Sequence, residues 1–179
     1  MSKPMRLPSV SDDQTYFITS GTDGRERYFA YSKYAELFID TLYHYRKELK
    51  FRIHGFVVMP EHFHLLITPQ GITIERALQL VKGGYSFRVK KELRRNFDIW
   101  QRGFTDRRVR VGEFDGFRIY IDENPVKAGL VKRSEEYAFG SASGRFELDP
   151  PPAAYLPQRL KPRTKEAALD GTAKADALP

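Results

Sequence analysis

Hydrophobic residues recur at helical spacing in two segments of the chain. In residues 33–49 and again in residues 73–95, an apolar residue stands at about every third or fourth position, which predicts an amphipathic helix in each segment. Gly83 and Gly84 lie inside the second helix and, because glycine destabilises a helix interior, they predict a kink or break there. A last helix is expected over residues 113–124, where Pro125 prevents its continuation.

Short segments rich in β-branched and aromatic residues alternate with these helices and predict strands. Residues 15–20 end at the turn sequence Gly-Thr-Asp-Gly, and residues 51–59 and 62–68 flank Pro60-Glu61, a pattern typical of a β-hairpin. A further short strand is expected at residues 99–100 or at residues 107–111. The order is therefore strand, helix, strand, strand, helix, strand, helix.

This order predicts an α+β fold, a ferredoxin-like or RRM-like sandwich in which a central antiparallel sheet carries helices on one face and is followed by one additional C-terminal helix. Composition divides the chain further. Residues 1–13 have the polar composition of a flexible leader, and residues 14–149 carry all the predicted elements. Residues 150–179 begin with three prolines and predict a Pro-rich, weakly structured tail.

Composition excludes several classes of protein. Hydrophobic residues make up 41% of the 179 residues and aromatic residues 13%, which is enough to form a core and excludes disorder of the whole chain. Cysteine is absent, so a disulfide scaffold, a thiolate zinc site and a cysteine nucleophile are excluded. The apolar runs are too short to cross a bilayer. We therefore expect a cytoplasmic protein without membrane contact.

Positive charge is in excess and is unevenly distributed. Lys and Arg number 30 against 23 Asp and Glu, a net charge of +7, which weakly favours a polyanionic partner. The stretch between Lys82 and Arg118 interleaves arginines with aromatic residues, a combination that suits phosphate contacts and base stacking. It is equally typical of a solvated helix face above core aromatics. The candidate DNA-binding residues are Arg94, Arg95, Arg102, Arg107, Arg108 and Arg110.

Two histidines stand one residue apart in the second strand of the predicted hairpin. Side chains alternate between the two faces of a strand, so His62 and His64 point the same way while Phe63 points into the opposite layer. Two imidazoles on one face can bind one divalent ion. A pair of surface histidines on a half-exposed strand is the alternative, and the pattern by itself does not decide between them.

A tyrosine and an asparagine share one face of the last predicted helix. Tyr120 and Asn124 are four residues apart, which is about one helical turn. Tyr120 could be a core aromatic that keeps its hydroxyl in water, and Asn124 could simply end the helix before Pro125. Taken one at a time, both residues favour these structural interpretations.

Taken together, three segments resemble a known family. The sequences HGFVVMPEHFHLLITP, WQRGFTDRRVR and RIYIDENPVKAGLV are similar to the conserved blocks of REP-associated tyrosine transposases, which belong to the single-tyrosine HUH transposase superfamily. The blocks occur in the family's order, and the resemblance runs from about Tyr16 to Tyr137. It implies that His62 and His64 are metal ligands and that Tyr120 is the nucleophile.

The resemblance also implies a third metal ligand and shows two departures. Asn124 occupies the position, one turn after the tyrosine, from which the family's third ligand comes, although relatives carried on mobile elements have Gln there. Asp122 stands where relatives often have His, and we assign it no role. The implied cofactor is a divalent cation, Mg²⁺ or Mn²⁺.

The activity implied by the resemblance is cleavage and rejoining of single-stranded or hairpin DNA of the REP palindrome type, through a 5′-phosphotyrosine intermediate. The partner would be that DNA, the enzyme a monomer or a homodimer, and its location the cytoplasm, on the nucleoid. Two other interpretations stay open. The chain could be a non-catalytic nucleic-acid-binding module of the same fold, or a metal-dependent hydrolase that uses water as nucleophile and Tyr120 only for packing.

Overall fold

The computed structural model describes residues 13–156, so most of the predicted leader and most of the predicted tail lie outside the described residues. Its strands and long helices follow the predicted order. They are β1 (Tyr16–Gly21), α1 (Ser32–Lys47), β2 (Phe51–Met59), β3 (His62–Pro69), α2 (Ile74–Glu92), β4 (Thr105–Arg108) and α3 (Phe114–Lys127).

The four strands form one antiparallel sheet in the order β2-β3-β1-β4. The first strand is therefore central, with β3 on one side and β4 on the other. This is the strand order of the ferredoxin-like sandwich, and the predicted α+β fold is confirmed. Within residues 13–156, no helix is both long enough and apolar enough to span a membrane.

The sheet separates two hydrophobic clusters. Helices α1 and α2 pack together on one face, where they bury the main core around Phe38, Phe63 and Tyr85. Helix α3 packs on the opposite face against β2 and β3, with Ile121 and Phe114 contacting a smaller cluster. We call the face covered by α3 the site face. Because side chains of β3 alternate, Phe63 enters the main core and its two neighbours point to the site face.

Helix α2 is continuous, so the predicted kink at Gly83 and Gly84 is wrong. The reason lies in helix packing. A Cβ atom on Gly84 would lie 2.5 Å from the hydroxyl oxygen of Tyr45 on α1, so a larger residue at that position would require the Tyr45 side chain to move. The glycine that weakens the helix locally therefore allows α1 and α2 to approach each other closely.

Helix α3 continues past Pro125 to Lys127, so the predicted end at Asn124 is also wrong. Proline removes one backbone donor, but its ring is buried here and the helix ends two residues later with its last carbonyls satisfied. The amide of Gly129 donates to the carbonyl of Val126 (2.9 Å) and the amide of Leu130 to that of Pro125 (2.9 Å). With Gly129 at a φ of 69°, this is the Schellman ending that glycine favours.

The last strand corresponds to the second of the two predicted positions. Strand β4 pairs with β1 over Thr105–Arg108, overlapping the predicted residues 107–111. The other candidate, residues 99–100, contributes a single antiparallel bridge between Trp100 and Thr22. The Trp100 indole packs against the main core, where it contacts Phe63 and Tyr85.

The predicted boundary at residue 149 stays a prediction, but the residues on either side of it pack against the sheet. The Asp149 carboxylate pairs with Arg46 at 2.8 Å and accepts the amide of Ile53 at 2.8 Å. Six residues later, the Tyr155 hydroxyl donates to the carbonyl of Val109 (3.1 Å) and accepts the amide of Thr15 (3.1 Å). The first residues assigned to the tail thus join the start of β1 to the end of β4.

Candidate active site

His62 and His64 lie together on the site face, as their spacing in β3 predicts. Their rings are 4.8 Å apart at an angle of 78°, and their Nε2 atoms are 3.2 Å apart. We call these two residues the histidine pair. Two imidazole nitrogens that bind one ion at about 2.0–2.1 Å each must lie within about 4 Å of each other, and this pair meets that condition.

The second ring nitrogen of each histidine has a partner of its own. Nδ1 of His64 is 2.8 Å from the Thr19 hydroxyl of β1, and Nδ1 of His62 is 3.2 Å from the Glu61 carboxylate. A partner that accepts from Nδ1–H leaves Nε2 without a proton and available as a ligand. Arg25 pairs with the same carboxylate at 3.1 Å and holds Glu61 in place.

Burial favours the neutral form of both imidazoles. His64 is only 5% exposed, and burial together with the neighbouring His62 lowers its pKa to about 4. Burial also lowers the pKa of His62, although the Glu61 carboxylate opposes this effect. At neutral pH the histidine pair therefore offers two uncharged nitrogen donors.

The residues present fit a divalent cation held by nitrogen and amide or water ligands. Within the described part of the chain, no group of three or more His, Cys, Asp or Glu residues is placed to hold a metal ion. Any ion at the histidine pair would therefore complete its coordination with other donors, such as the amide oxygen of Asn124, water or a substrate oxygen. Such neutral ligands leave the charge of the ion available to an anion.

Helix α3 places Tyr120 beside the histidine pair. The Tyr120 ring lies edge-on to His64, with ring centroids 5.4 Å apart, and edge-on to Phe17 of β1 at 5.6 Å. It is 42% exposed, and no residue among 13–156 hydrogen-bonds its hydroxyl. An exposed phenol next to two converging imidazole nitrogens suits a nucleophile that must reach a bound phosphate.

The other tyrosines in and near the predicted blocks are differently placed. The Tyr137 hydroxyl donates to the carbonyl of Val58 at 2.8 Å, and burial raises its pKa to about 12. The Tyr85 hydroxyl donates to the carbonyl of Tyr34 deep in the main core. These two hydroxyls serve packing and are unavailable to a polymer substrate, which leaves Tyr120 as the tyrosine that faces both the solvent and the histidine pair.

Asn124 and Asp122 lie on different faces of α3. Asn124 follows Tyr120 by one turn and is half-buried, so the helix brings it to the same face as the tyrosine. Asp122 instead turns toward β2, where its carboxylate is 3.3 Å from the Ser141 hydroxyl, and burial raises its pKa. Asp122 therefore has a packing contact away from the tyrosine, in agreement with its lack of an assigned role.

Lys127 is a site residue that sequence reasoning missed. Its ammonium lies 5.7 Å from the centroid of the Tyr120 ring and pairs with Glu123 at 2.7 Å. It stands seven residues, about two turns, after the tyrosine, but the predicted end of the helix at Asn124 removed it from consideration. Extending α3 through Pro125 is the signal that would have found it.

The six predicted arginines are exposed, and one of them contacts the aromatic side chains of the site. Arg107 of β4 pairs with Phe17 of β1, and its guanidinium is 5.2 Å from the centroid of the Phe117 ring on α3. Its side chain also pairs with Glu113 at 2.7 Å. Among the six, Arg107 is therefore the residue that contacts the aromatic side chains of the site. The remaining exposed arginines lie at the end of α2, on the segment before β4 and on β4 or just after it: Arg94, Arg95, Arg102, Arg108 and Arg110.

Comparison with known proteins places this geometry in context. The family described as "Transposase IS200 like" matches residues 11–124. The fold is similar to that of a REP-associated tyrosine transposase bound to a REP hairpin, with a TM-score of 0.67, 24% identity, and 80% of this chain and 84% of the other covered. A candidate transposase from Deinococcus radiodurans R1 has a TM-score of 0.48 and 17% identity, with 66% of this chain and 97% of the other covered. No curated protein matches the chain.

Proposed function

This chain belongs to the IS200-like transposase family, and from that membership we propose that it cuts and rejoins single-stranded or hairpin DNA with Tyr120 as the nucleophile. The observation that carries the proposal is the meeting of three side chains on the site face. The Nε2 atoms of His62 and His64 converge at 3.2 Å, and the exposed Tyr120 packs against the second of these rings. A nucleic-acid-binding module requires none of these features.

The histidine pair and Asn124 would hold the cation, Mg²⁺ or Mn²⁺. Bound there, the cation would act as a Lewis acid that neutralises charge on the non-bridging oxygens of a phosphodiester. The protein's own contribution is to orient its ligands. Thr19 and Glu61 fix the two rings through Nδ1, and burial keeps them uncharged at neutral pH.

Tyr120 performs the covalent step. Its hydroxyl oxygen loses its proton and attacks the phosphorus, a new O–P bond forms, and the bond to the 3′ oxygen of the leaving strand breaks. The 5′ phosphate stays on the protein as a phosphotyrosine, and the leaving strand ends in a free 3′ hydroxyl. The reverse attack by a 3′ hydroxyl restores a phosphodiester without ATP, since the number of phosphoester bonds does not change.

Lys127 lies over the Tyr120 ring, with its ammonium 5.7 Å from the ring centroid, and pairs with Glu123 at 2.7 Å. Helix α3 therefore carries an ammonium group beside the proposed nucleophile.

We propose hairpin DNA with a single-stranded flank as the substrate class. The protein with the similar fold is bound to a REP hairpin, and this chain has a net charge of +7 and exposed arginines that suit phosphate binding. Affinity should therefore fall steeply with salt concentration, because binding releases counterions from the phosphates.

The experiment is denaturing electrophoresis of a labelled hairpin after incubation with protein and Mn²⁺ or Mg²⁺. We expect label linked to protein, loss of the adduct with a chelator, and loss with Tyr120→Phe, which keeps the ring and its packing. Tyr137→Phe is the matched control, because it also removes one hydroxyl near β2, and it should retain the adduct. Cleavage without linked protein would indicate hydrolysis, and binding without cleavage a non-catalytic module.

A further inference from the structure

An open concavity of about 330 Å³ lies directly beside Tyr120. It is lined by Glu113, Gly116, Phe117 and Tyr120, which stand at positions i, i+3, i+4 and i+7 of α3 or its start. These positions form one stripe of a helix. The α3 concavity, as we call it, is thus continuous with the nucleophile and accessible from the same side.

The floor of the α3 concavity belongs to a column of stacked rings. Phe117 stacks on Phe17 with ring centroids 4.7 Å apart at 19°, and Phe17 stacks on His64 at 5.3 Å and 19°. The column therefore runs from the histidine pair on β3, across β1, to the surface of α3. Flat aromatic surfaces in such an order offer a further flat ring a place to stack.

The outer end of the column is covered only by a weakly held side chain. The Arg107 guanidinium lies over the Phe117 ring at 5.2 Å and pairs with Glu113, but its side chain is 60% exposed. Exposed ion pairs of this kind contribute little to stability, so an incoming ring can displace the guanidinium. Once displaced, the guanidinium can stack on the new ring or pair with a phosphate.

Gly116 leaves space that residues 13–156 do not fill. A Cβ atom built on Gly116 would meet no atom within 4 Å, so no close approach requires a glycine. Glycine also weakens a helix interior relative to alanine. The backbone is bare at the point where the α3 concavity opens beside Tyr120, which suits the close approach of a ligand.

We propose that the α3 concavity binds one unpaired nucleobase of the nucleotide next to the phosphate that Tyr120 attacks. The base extends the ring column by stacking on Phe117, against the bare backbone at Gly116, and Arg107 contacts the adjoining phosphate. This proposal rests on the proposed function for the identity of the DNA. Its role is to fix the register of the single strand, so that one phosphate lies within reach of the nucleophile.

Binding and chemistry can be tested separately with hairpins that carry 2-aminopurine in the single-stranded flank. With Tyr120→Phe, which binds without cleaving, we expect the fluorescence of 2-aminopurine to be quenched at one position beside the cleavage site. Gly116→Leu fills the α3 concavity and should abolish that quenching. It should weaken binding of the flanked hairpin about tenfold or more while leaving the affinity for a blunt hairpin unchanged.

Gly83→Leu is the matched control, since it places the same side chain in open space on a helix of the opposite face. It should change neither quenching nor affinity. Replacing the quenched nucleotide with an abasic residue should remove the difference between Gly116→Leu and the parent, because the two changes delete the same contact.

The outcomes separate the two proposals. Unchanged flank affinity and quenching in Gly116→Leu, with adduct formation by the parent, would overturn the base site and leave the tyrosine chemistry standing. Quenching that depends on Gly116, with no adduct from the parent, would support the base site and overturn the chemistry. Loss of blunt-hairpin affinity in Gly116→Leu would also overturn the base site, because it would show a general effect on DNA binding.

Discussion

At the scale of single residues, the hydroxyl of Thr19 positions one ring of the histidine pair. It lies 2.8 Å from Nδ1 of His64 and orients that ring from a different strand. Thr19→Val keeps the shape of the side chain and removes the hydrogen bond. We expect Mn²⁺ affinity to fall about 10- to 100-fold, the usual effect of losing the partner of a histidine ligand. Calorimetric titration of Mn²⁺ measures this effect.

Thr105→Val supplies the control for that measurement. Thr105 is the direct neighbour of Thr19 on β4 and lies at the sheet edge away from the histidine pair. The same substitution there should leave Mn²⁺ affinity unchanged. Equal effects of the two substitutions would show that the strands, rather than the hydrogen bond to His64, had been disturbed.

Burial of His64 also predicts how stability depends on pH. Its pKa in the folded protein is about 4, below the ordinary value of 6.5, so between these pH values the unfolded chain binds a proton that the folded protein does not. The contribution of neutral His64 to the free energy of unfolding is therefore fully present well above pH 6.5. It falls as the pH drops toward 4, by about 2–3 kcal/mol in the metal-free protein.

Chemical denaturation in the presence of a chelator, at several pH values between 7.5 and 4.5, measures this loss. His64→Gln removes the titrating group, so the slope of unfolding free energy against pH should be shallower in this variant over the same range. A variant with the slope of the parent would show that other groups cause the acid sensitivity.

Sequence analysis identified individual candidate site residues where they belong to a sequence motif. The two histidines, the tyrosine and the asparagine could be recognised because their segments resemble those of a known family, whereas their spacing alone left structural interpretations open, and their roles stay proposals. Thr19 and Phe17 could not be recognised in this way, because no motif distinguishes them from the other residues of their strand. Their contacts with His64 arise only when β1 pairs with β3.

At the scale of elements, the strands were predicted better than the interruptions in the helices. Local rules treat Gly84 and Pro125 as breaks, but both helices continue through them. Gly84 lies where α1 and α2 approach closely at Tyr45, and the Gly129 ending places the terminus of α3 beyond the proline. The extra turn changes the candidate site, because it brings Lys127 over the Tyr120 ring.

At the scale of the whole molecule, the α+β class and strand order followed from the order of elements, whereas the contacts of residues 150–156 did not. Tyr155 lies in a Pro-rich segment whose composition suggests little burial. Its ring nevertheless packs on Phe114 at 5.3 Å, at the start of the helix that carries Tyr120. A pattern of prolines carries no information about such a long-range contact.

The effect of that contact can be measured by comparing chains that end at residues 149 and 156. We expect the shorter chain to lose about 1–3 kcal/mol of unfolding free energy, because the Tyr155 hydroxyl and ring contacts are removed. Urea denaturation measures the difference. Tyr155→Phe in the longer chain keeps the ring and should lose only part of this unfolding free energy. Equal stability of the two chains would show that the segment adds no net stability.

The Tyr155 contacts have a consequence for how this domain can be handled. The Tyr155 hydroxyl is 3.3 Å from the side-chain amide nitrogen of Gln14, so the two ends of the described segment, residues 13–156, lie near each other. A short linker could therefore join the two positions, and new termini could be opened in a surface loop with the sheet order unchanged. The same proximity would allow the whole unit to be inserted into a loop of another protein, as a DNA-processing module with a single attachment point.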